Sequence, residues 1–95
     1  MEQKILLKHP AGKKAISMDK EKYTILEKSI LKCLRLQVEV SHKDILNAIR
    51  EDFKIGKINF TGSVEWYMEW VKLDMEARKI IARIAGTTPI KFKLA

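Results

Sequence analysis

The residue types that most often perform catalysis or bind metals are few in this chain. Neither His9 nor His42 has a second histidine, a cysteine or a carboxylate at the spacing of a metal site. We expect His42 to be a solvated side chain in the first turn of a helix. Cys33, the single cysteine, lies within an apolar helical pattern and is expected in the core. Serine, histidine and aspartate occur without a nucleophile-elbow motif. The sequence therefore predicts no catalytic site, no metal site and no cofactor, so that the protein is not an enzyme.

One short segment contains the Gly-Lys step of a phosphate-binding loop. Gly12-Lys13-Lys14 lacks the upstream glycine of that motif and the hydroxyl residue after the lysine. It also leads into a predicted strand, whereas a phosphate-binding loop leads into a helix. We therefore reject a phosphate-binding loop in this segment.

Positive charge is the clearest chemical signal. The net charge is +7, and the excess lies at the two ends, in residues 1–18 and 80–95. The candidate contacts to nucleic-acid phosphates are Lys13, Lys14, Arg83, Lys91 and Lys93. Contacts of this kind would give salt-sensitive binding with little sequence preference. The alternative is a solvated basic surface that keeps a small protein soluble.

Two tryptophans one helical turn apart form the second candidate. Trp66 and Trp70 share a helical face with Leu73. An exposed pair could stack on bases or anchor a protein interface. The alternative, which we favour, is core packing, because aromatic side chains at this spacing on an apolar face usually pack internally.

These residues must be positioned by one small domain. A chain of 95 residues with 46% hydrophobic residues is expected to form a single α+β domain over residues 1–95. Residues 3–8 and 13–18 are predicted to be strands around the turn His9-Pro10-Ala11-Gly12, which gives an N-terminal hairpin over residues 1–18. Residues 19–79 form a three-helix core, and residues 80–95 a C-terminal hairpin.

The helices follow from their caps and apolar spacing. Asp19 is the predicted N-cap of an amphipathic helix over residues 20–35, and Ser41-His42-Lys43-Asp44 fits a capping box that begins the second helix. The apolar side chains at helical spacing in the first helix are Tyr23, Leu26, Ile30, Cys33 and Leu34. The alternation of Val38-Glu39-Val40 predicts a very short strand between the two helices. A third helix begins around Gly62 and ends near Arg78. In the connector before it, residues 54–61, the apolar side chains expected to contact the core are Ile55, Ile58 and Phe60.

The alternation of apolar and charged residues predicts the C-terminal hairpin. Residues 80–85 and 90–94 are the predicted strands, and Gly86-Thr87-Thr88-Pro89 is the turn. Ile90, Phe92 and Leu94 face one way while Lys91 and Lys93 face the other, which predicts one packed face.

The third helix has two apolar faces, one containing Val64 and Met68 and the other containing the two tryptophans. Such a helix is expected to be covered on two sides. The predicted solvated stripe between the faces consists of Glu65, Glu69, Lys72, Glu76 and Lys79. It is acidic overall and has no Arg, Asn or Gln for reading bases, which argues against insertion into the major groove.

The order of helix, short strand, capped helix, connector, helix and hairpin resembles winged helix-turn-helix domains. The segment Trp70–Arg83 is similar to their junction between recognition helix and wing, and Pro89–Leu94 to a second wing strand. This resemblance covers residues 19–95. The segments Gly62–Tyr67 and Lys72–Ala77 further resemble a small family of bacterial proteins of unknown function, in which an N-terminal hairpin precedes the first helix. The resemblance implies a winged-helix fold and supplies no activity.

Two functions remain open from the sequence. The first is a nucleic-acid-binding regulatory or accessory domain that contacts DNA phosphates through a basic wing. The second is a protein-interaction or homodimerisation module that keeps the winged-helix scaffold without binding DNA. The N-terminus has only three consecutive apolar residues before charge returns, so we expect neither a signal peptide nor a membrane span and a cytoplasmic location.

Overall fold

The structure, a computed structural model, describes residues 3–86 and 88–95. Outside the described residues lie Met1 and Glu2, which belong to the predicted N-terminal hairpin, and Thr87, which belongs to the predicted C-terminal turn. It is a small α+β domain with three helices and two small sheets in that part of the chain. The elements in chain order are β1 (Lys4–Leu6), β2 (Ser17–Asp19), α1 (Lys20–Leu36), β3 (Val40–Ser41), α2 (His42–Ile55), α3 (Val64–Ala77), β4 (Ile81–Ile84) and β5 (Lys91–Leu94).

The N-terminal hairpin is confirmed, with shorter strands than predicted. β1 pairs antiparallel with β2, with Ile5 opposite Met18. Beyond β1, the Leu7 backbone N–H donates to the Ile16 carbonyl oxygen at 2.9 Å, so the pairing continues toward the turn. Leu7 and Met18 are buried, so this hairpin adds apolar side chains to the core of the domain.

α1 buries the side chains that its spacing predicted: Tyr23, Leu26, Ile30, Cys33 and Leu34. Asp19 is the N-cap residue, as predicted, but its side chain makes none of the expected capping hydrogen bonds. β2 runs directly into the helix, and the Lys20 backbone N–H donates to the Gln3 carbonyl oxygen at 2.8 Å. The sheet therefore satisfies the first of the free amides of α1, and Asp19 is at the same time the last residue of β2, opposite Lys4.

The capping box of α2 is confirmed. The Asp44 backbone N–H donates to Ser41 Oγ at 3.2 Å, and the Ser41 backbone N–H donates to Asp44 Oδ2 at 3.0 Å. These hydrogen bonds, the backbone one first, lower the pKa of Asp44 below its usual value. The buried stripe of this helix is Ile45, Leu46, Ile49 and Phe53.

The connector contacts the core less than predicted. Phe60 stacks on Phe53 with ring centroids 5.4 Å apart. Ile55 is 71% exposed, so the prediction that it packs on the core is wrong, whereas Ile58, 38% exposed, lines a depression with Ile25 and the core residue Phe53. Ile55 is the last residue of α2 and lies on the side of the helix away from the buried Phe53. Lys57, in a left-handed conformation (φ 51°), follows the end of the helix.

The second sheet has the strand order β3-β5-β4, and both pairings are antiparallel. Phe92 of β5 lies opposite Val40 of β3 and Arg83 of β4, so these three side chains share a face. Val40 and Phe92 are buried against the helices. Of the three side chains predicted for the packed face, only Phe92 is buried, because Ile90 and Leu94 lie toward the ends of the strand.

α3 supplies the centre of the core through Met68, Val71 and Met75, which are fully buried. Two charged residues of the same helix, Lys72 and Asp74, are buried with them. In residues 3–86 and 88–95, no helix combines the length and hydropathy required to cross a bilayer.

Candidate functional site

Lys91 and Lys93 lie on the outer face of the second sheet. The register places Lys93 opposite Ala82 and Lys91 opposite Ser41, on the side away from Phe92. Lys93 is exposed and Lys91 is partly buried. Because Ser41 caps α2, this face adjoins the start of that helix, where Lys43 is also exposed. Lys91 and Lys43 add to the lowering of the Asp44 pKa, after the Ser41 hydrogen bonds.

Arg83 is separated from these lysines. It lies on the core-facing side of the sheet, where its guanidinium is 5.4 Å from the centroid of the Phe92 ring. Its Nη2 atom is 3.1 Å from Glu76 Oε1 of α3, and that carboxylate is largely buried. The register therefore places Arg83 and the two lysines of β5 on opposite faces of the sheet. Arg83 forms an ion pair with Glu76, and Lys91 and Lys93 lie on the outer face.

Lys13 and Lys14 are exposed in the segment that follows the turn of the N-terminal hairpin. Pro10 of that turn lines a depression of about 320 Å³ together with Ala82, Arg83 and Ala95. The turn of the N-terminal hairpin and β4, an edge strand of the second sheet, therefore border the same depression. Lys79, which is exposed, lines the same depression.

The tryptophans differ in environment. Trp66 is 50% exposed, whereas Trp70 and Leu73 are partly buried, and Trp70 packs against the core. The two indole rings meet edge to face with centroids 6.2 Å apart. The expectation of core packing therefore describes Trp70 better than Trp66, which lies in the first turn of α3.

A cluster around Lys72 was missed by the sequence analysis. Lys72, expected on a solvated stripe, is only 2% exposed. Its Nζ atom lies 2.8 Å from His42 Nδ1, 3.6 Å from Glu69 Oε2 and 4.2 Å from the Phe92 ring centroid. Burial lowers the pKa of Lys72, and the Glu69 carboxylate opposes that shift. Lys72 thus joins α2, α3 and β5.

His42 completes the cluster. Its Nε2 atom is 2.9 Å from Glu65 Oε2, and its Nδ1 atom is 3.2 Å from Glu69 Oε2. When the Lys72 ammonium donates to Nδ1, the neutral imidazole donates from Nε2 to Glu65. The helical spacing of Glu65, Glu69 and Lys72 was visible in the sequence, but nothing there indicated that a histidine of α2 faces them. Among the residues that the structure describes, no group of three or more potential ligands is placed to hold a metal ion.

Asp74 forms a second buried polar centre, on the other side of α3. Its carboxylate accepts hydrogen bonds from Tyr23 Oη, from the Lys8 backbone N–H at 2.8 Å and from Arg78 Nε at 2.9 Å. Burial first, and the neighbouring Asp74 second, raise the pKa of Tyr23. The same carboxylate raises the pKa of Arg78. Asp74 therefore connects the N-terminal hairpin, α1 and α3.

Comparison with known proteins identifies a family without a known activity. The model of a family of unknown function (DUF6958) matches residues 4–92, and the chain belongs to this family. Neither the search of curated proteins nor that of solved structures found a match.

Proposed function

We propose that this protein is a non-catalytic nucleic-acid-binding domain with a winged-helix fold, which contacts DNA phosphates through the outer face of its C-terminal hairpin. The support for the fold is the element order from α1 to β5, with the short strand β3 joined to the hairpin β4–β5 in one sheet. In this assignment α3 takes the position of the recognition helix and β4–β5 the position of the wing.

The observation that carries the proposal is the register of β5. It directs Lys91 and Lys93 outward on strands that contain no acidic residue, next to the exposed Lys43 of α2. Lys13 and Lys14 are exposed after the turn of the N-terminal hairpin, and we propose that they extend the basic surface. Lysines on one surface attract the phosphate backbone without reading the bases.

The charges of α3 favour backbone contact over groove reading. The side chains of Glu65 and Glu69, which are 54% and 45% exposed, are grouped around His42. A helix with carboxylates on its accessible side is repelled by phosphates that line a groove. We therefore propose binding with modest sequence preference.

Neutralising the outer lysines is expected to weaken DNA binding and its salt dependence. In the variant Lys91→Gln/Lys93→Gln, the slope of log affinity against log salt becomes shallower by about one per lysine that contacts a phosphate, or about two in total. The measurement is fluorescence anisotropy with a random-sequence duplex over a salt series.

The control is Lys28→Gln/Lys54→Gln, which removes the same charge from exposed positions on α1 and α2. Equal losses in the two variants would indicate attraction by net charge alone and reject the assigned face. If neither the wild type nor the variants bind at low salt, DNA binding itself is rejected. Light scattering on the same samples tests the alternative function, because a homodimer would have twice the chain mass.

A further inference from the structure

A second surface feature lies at the opposite end of the N-terminal hairpin from Pro10. It is a depression of about 410 Å³ between β2, the connector and the first turn of α3. Its size is within the range of small-molecule sites. The residues that line it are Lys4, Ile16, Ser17, Met18, Asp19, Lys22, Thr61, Trp66 and Tyr67.

One wall of the depression is aromatic and fixed in place. The Trp66 ring meets Tyr67 edge to face at 4.9 Å, and Tyr67 meets Phe60 in the same manner at 5.5 Å. Tyr67 can occupy its position because residue 62 is glycine. Gly62 has a φ of +94°, and a Cβ atom there would lie 2.8 Å from Tyr67 Cε2. Trp66 itself is 50% exposed, so part of its side chain is accessible to a ligand.

Positive charge lies beside the aromatic wall. Lys22 Nζ is 4.6 Å from the Tyr67 ring centroid and donates to the Thr61 carbonyl oxygen at 2.9 Å. These two contacts hold an ammonium at the rim. Lys4 of β1 is exposed and lines the same space, so an anionic group there would have two cations nearby.

Asp19 supplies an acceptor. The register places Asp19 opposite Lys4, on one face of the hairpin, and its carboxylate makes no capping bond to α1. A carboxylate in a ligand site accepts from N–H groups, which a heteroaromatic base carries on its edge. An apolar ligand would leave Asp19 and Lys4 without a partner in the site, and a simple anion would leave the exposed Trp66 ring unused.

We propose that this depression binds a nucleotide, with the base stacked on Trp66, base N–H groups donating to Asp19 and the phosphate near Lys4 and Lys22. The same chemistry is presented by a free mononucleotide and by the terminal nucleotide of a single strand. The site is separate from the outer face of the C-terminal hairpin and does not depend on the function proposed for that face.

The test is an NMR titration of the full chain with adenosine monophosphate, adenosine and inorganic phosphate. Adenosine monophosphate is expected to shift the backbone amides of residues 16–19 and 61–67, adenosine to bind about threefold more weakly, and phosphate alone to leave these amides unshifted. Replacing Trp66 by alanine is expected to weaken nucleotide binding by about tenfold or more, because base stacking is lost. Ile55→Ala is the control and keeps the affinity, since it removes a large exposed apolar side chain that does not line the depression.

A second variant and a second ligand separate the remaining outcomes. Lys4→Gln is expected to remove part of the difference in affinity between adenosine monophosphate and adenosine, because Lys22 remains near the phosphate. A short single-stranded oligonucleotide that binds about tenfold more tightly than the mononucleotide would assign the site to a strand end, and similar affinities would assign it to a free nucleotide. The absence of shifts at millimolar nucleotide, or equal affinity in Trp66→Ala and wild type, overturns the proposal. Lys91→Gln/Lys93→Gln should retain nucleotide binding, so this proposal and the duplex-binding proposal can fail separately.

Discussion

Replacing Asp74 by alanine is expected to lower the free energy of unfolding by about 3 to 5 kcal/mol, because a buried carboxylate that accepts three hydrogen bonds is lost and each such bond contributes about 1.5 to 3 kcal/mol. Asp74 is fully buried, and its carboxylate accepts from Tyr23 Oη, the Lys8 backbone N–H and Arg78 Nε. Alanine accepts none of these hydrogen bonds. The Tyr23 hydroxyl would then remain buried without an acceptor, and the N-terminal hairpin would lose its bond to α3.

Urea denaturation followed by circular dichroism measures this loss. Asp74→Asn keeps the shape and one acceptor oxygen, and should remain folded with a smaller loss. Asp52→Ala is a matched control, because its carboxylate accepts from Ser29 Oγ and Lys32 Nζ but is partly exposed, so we expect a loss of about 1 kcal/mol. Similar losses of stability in Asp74→Ala and Asp52→Ala would contradict the expectation that the buried Asp74 contributes more to stability than a partly exposed carboxylate.

Replacing Lys72 by methionine is expected to raise the free energy of unfolding at pH 7 by about 1 to 2 kcal/mol. Methionine has a similar length and can pack against Phe92 without the desolvation cost of a buried ammonium. The partners that lose Lys72 are His42 and Glu69, and both are partly exposed and can bind water instead.

The increase in the free energy of unfolding caused by Lys72→Met should depend on pH. Burial lowers the folded-state pKa of Lys72 below its ordinary value of 10.5, and the charge of Arg83 lowers it further. The carboxylates of Glu69 and Glu76 oppose this shift. Between that lowered pKa and 10.5, the unfolded state binds more protons than the folded state, so the stability of the wild type rises with pH in this window. Lys72→Met lacks this titration, and its advantage should be largest at neutral pH and shrink as pH approaches 10.5.

Urea midpoints of wild type and variant at several pH values between 7 and 10.5 measure that difference. Tyr23, whose pKa is raised, is present in both proteins and cancels in the comparison. Lys28→Met, at an exposed position of α1, is the control and should change stability little at any pH. A Lys72→Met variant that is less stable than wild type at pH 7 would contradict the expectation and make the lysine cluster a net source of stability.

The sequence predicted those features that depend on neighbouring residues. The capping box at Ser41 and Asp44, the buried stripe of α1 and the outward direction of Lys93 each follow from a local spacing. Local signals failed where a distant strand intervened. Asp19 is the N-cap residue of α1, yet it also ends β2 opposite Lys4, and its side chain makes no capping hydrogen bond.

The burial of charged side chains could not be predicted from the sequence, because it also depends on distant residues. A helical wheel places Lys72 beside Glu69 and Glu76, which suggests a solvated stripe. Its burial is produced by Phe92 and His42, which come from other elements and meet Lys72 only in the folded chain. Arg83 likewise has a basic side chain in a basic segment, and only the strand register shows that it faces Glu76.

The buried thiol of Cys33 is a natural reporter of conformations in which the core around α1 is transiently exposed. The side chain lies in the core on α1, and burial raises the pKa of the thiol, with smaller contributions from Asp44 and Asp52. A thiol reagent added at neutral pH can therefore modify the protein only through conformations in which the core around α1 has separated. Because the sequence contains one cysteine, the rate of a single mass increase reports how often that separation occurs in the absence of denaturant. Native-state dynamics and the stability of every variant above can be followed in this way without adding a label site.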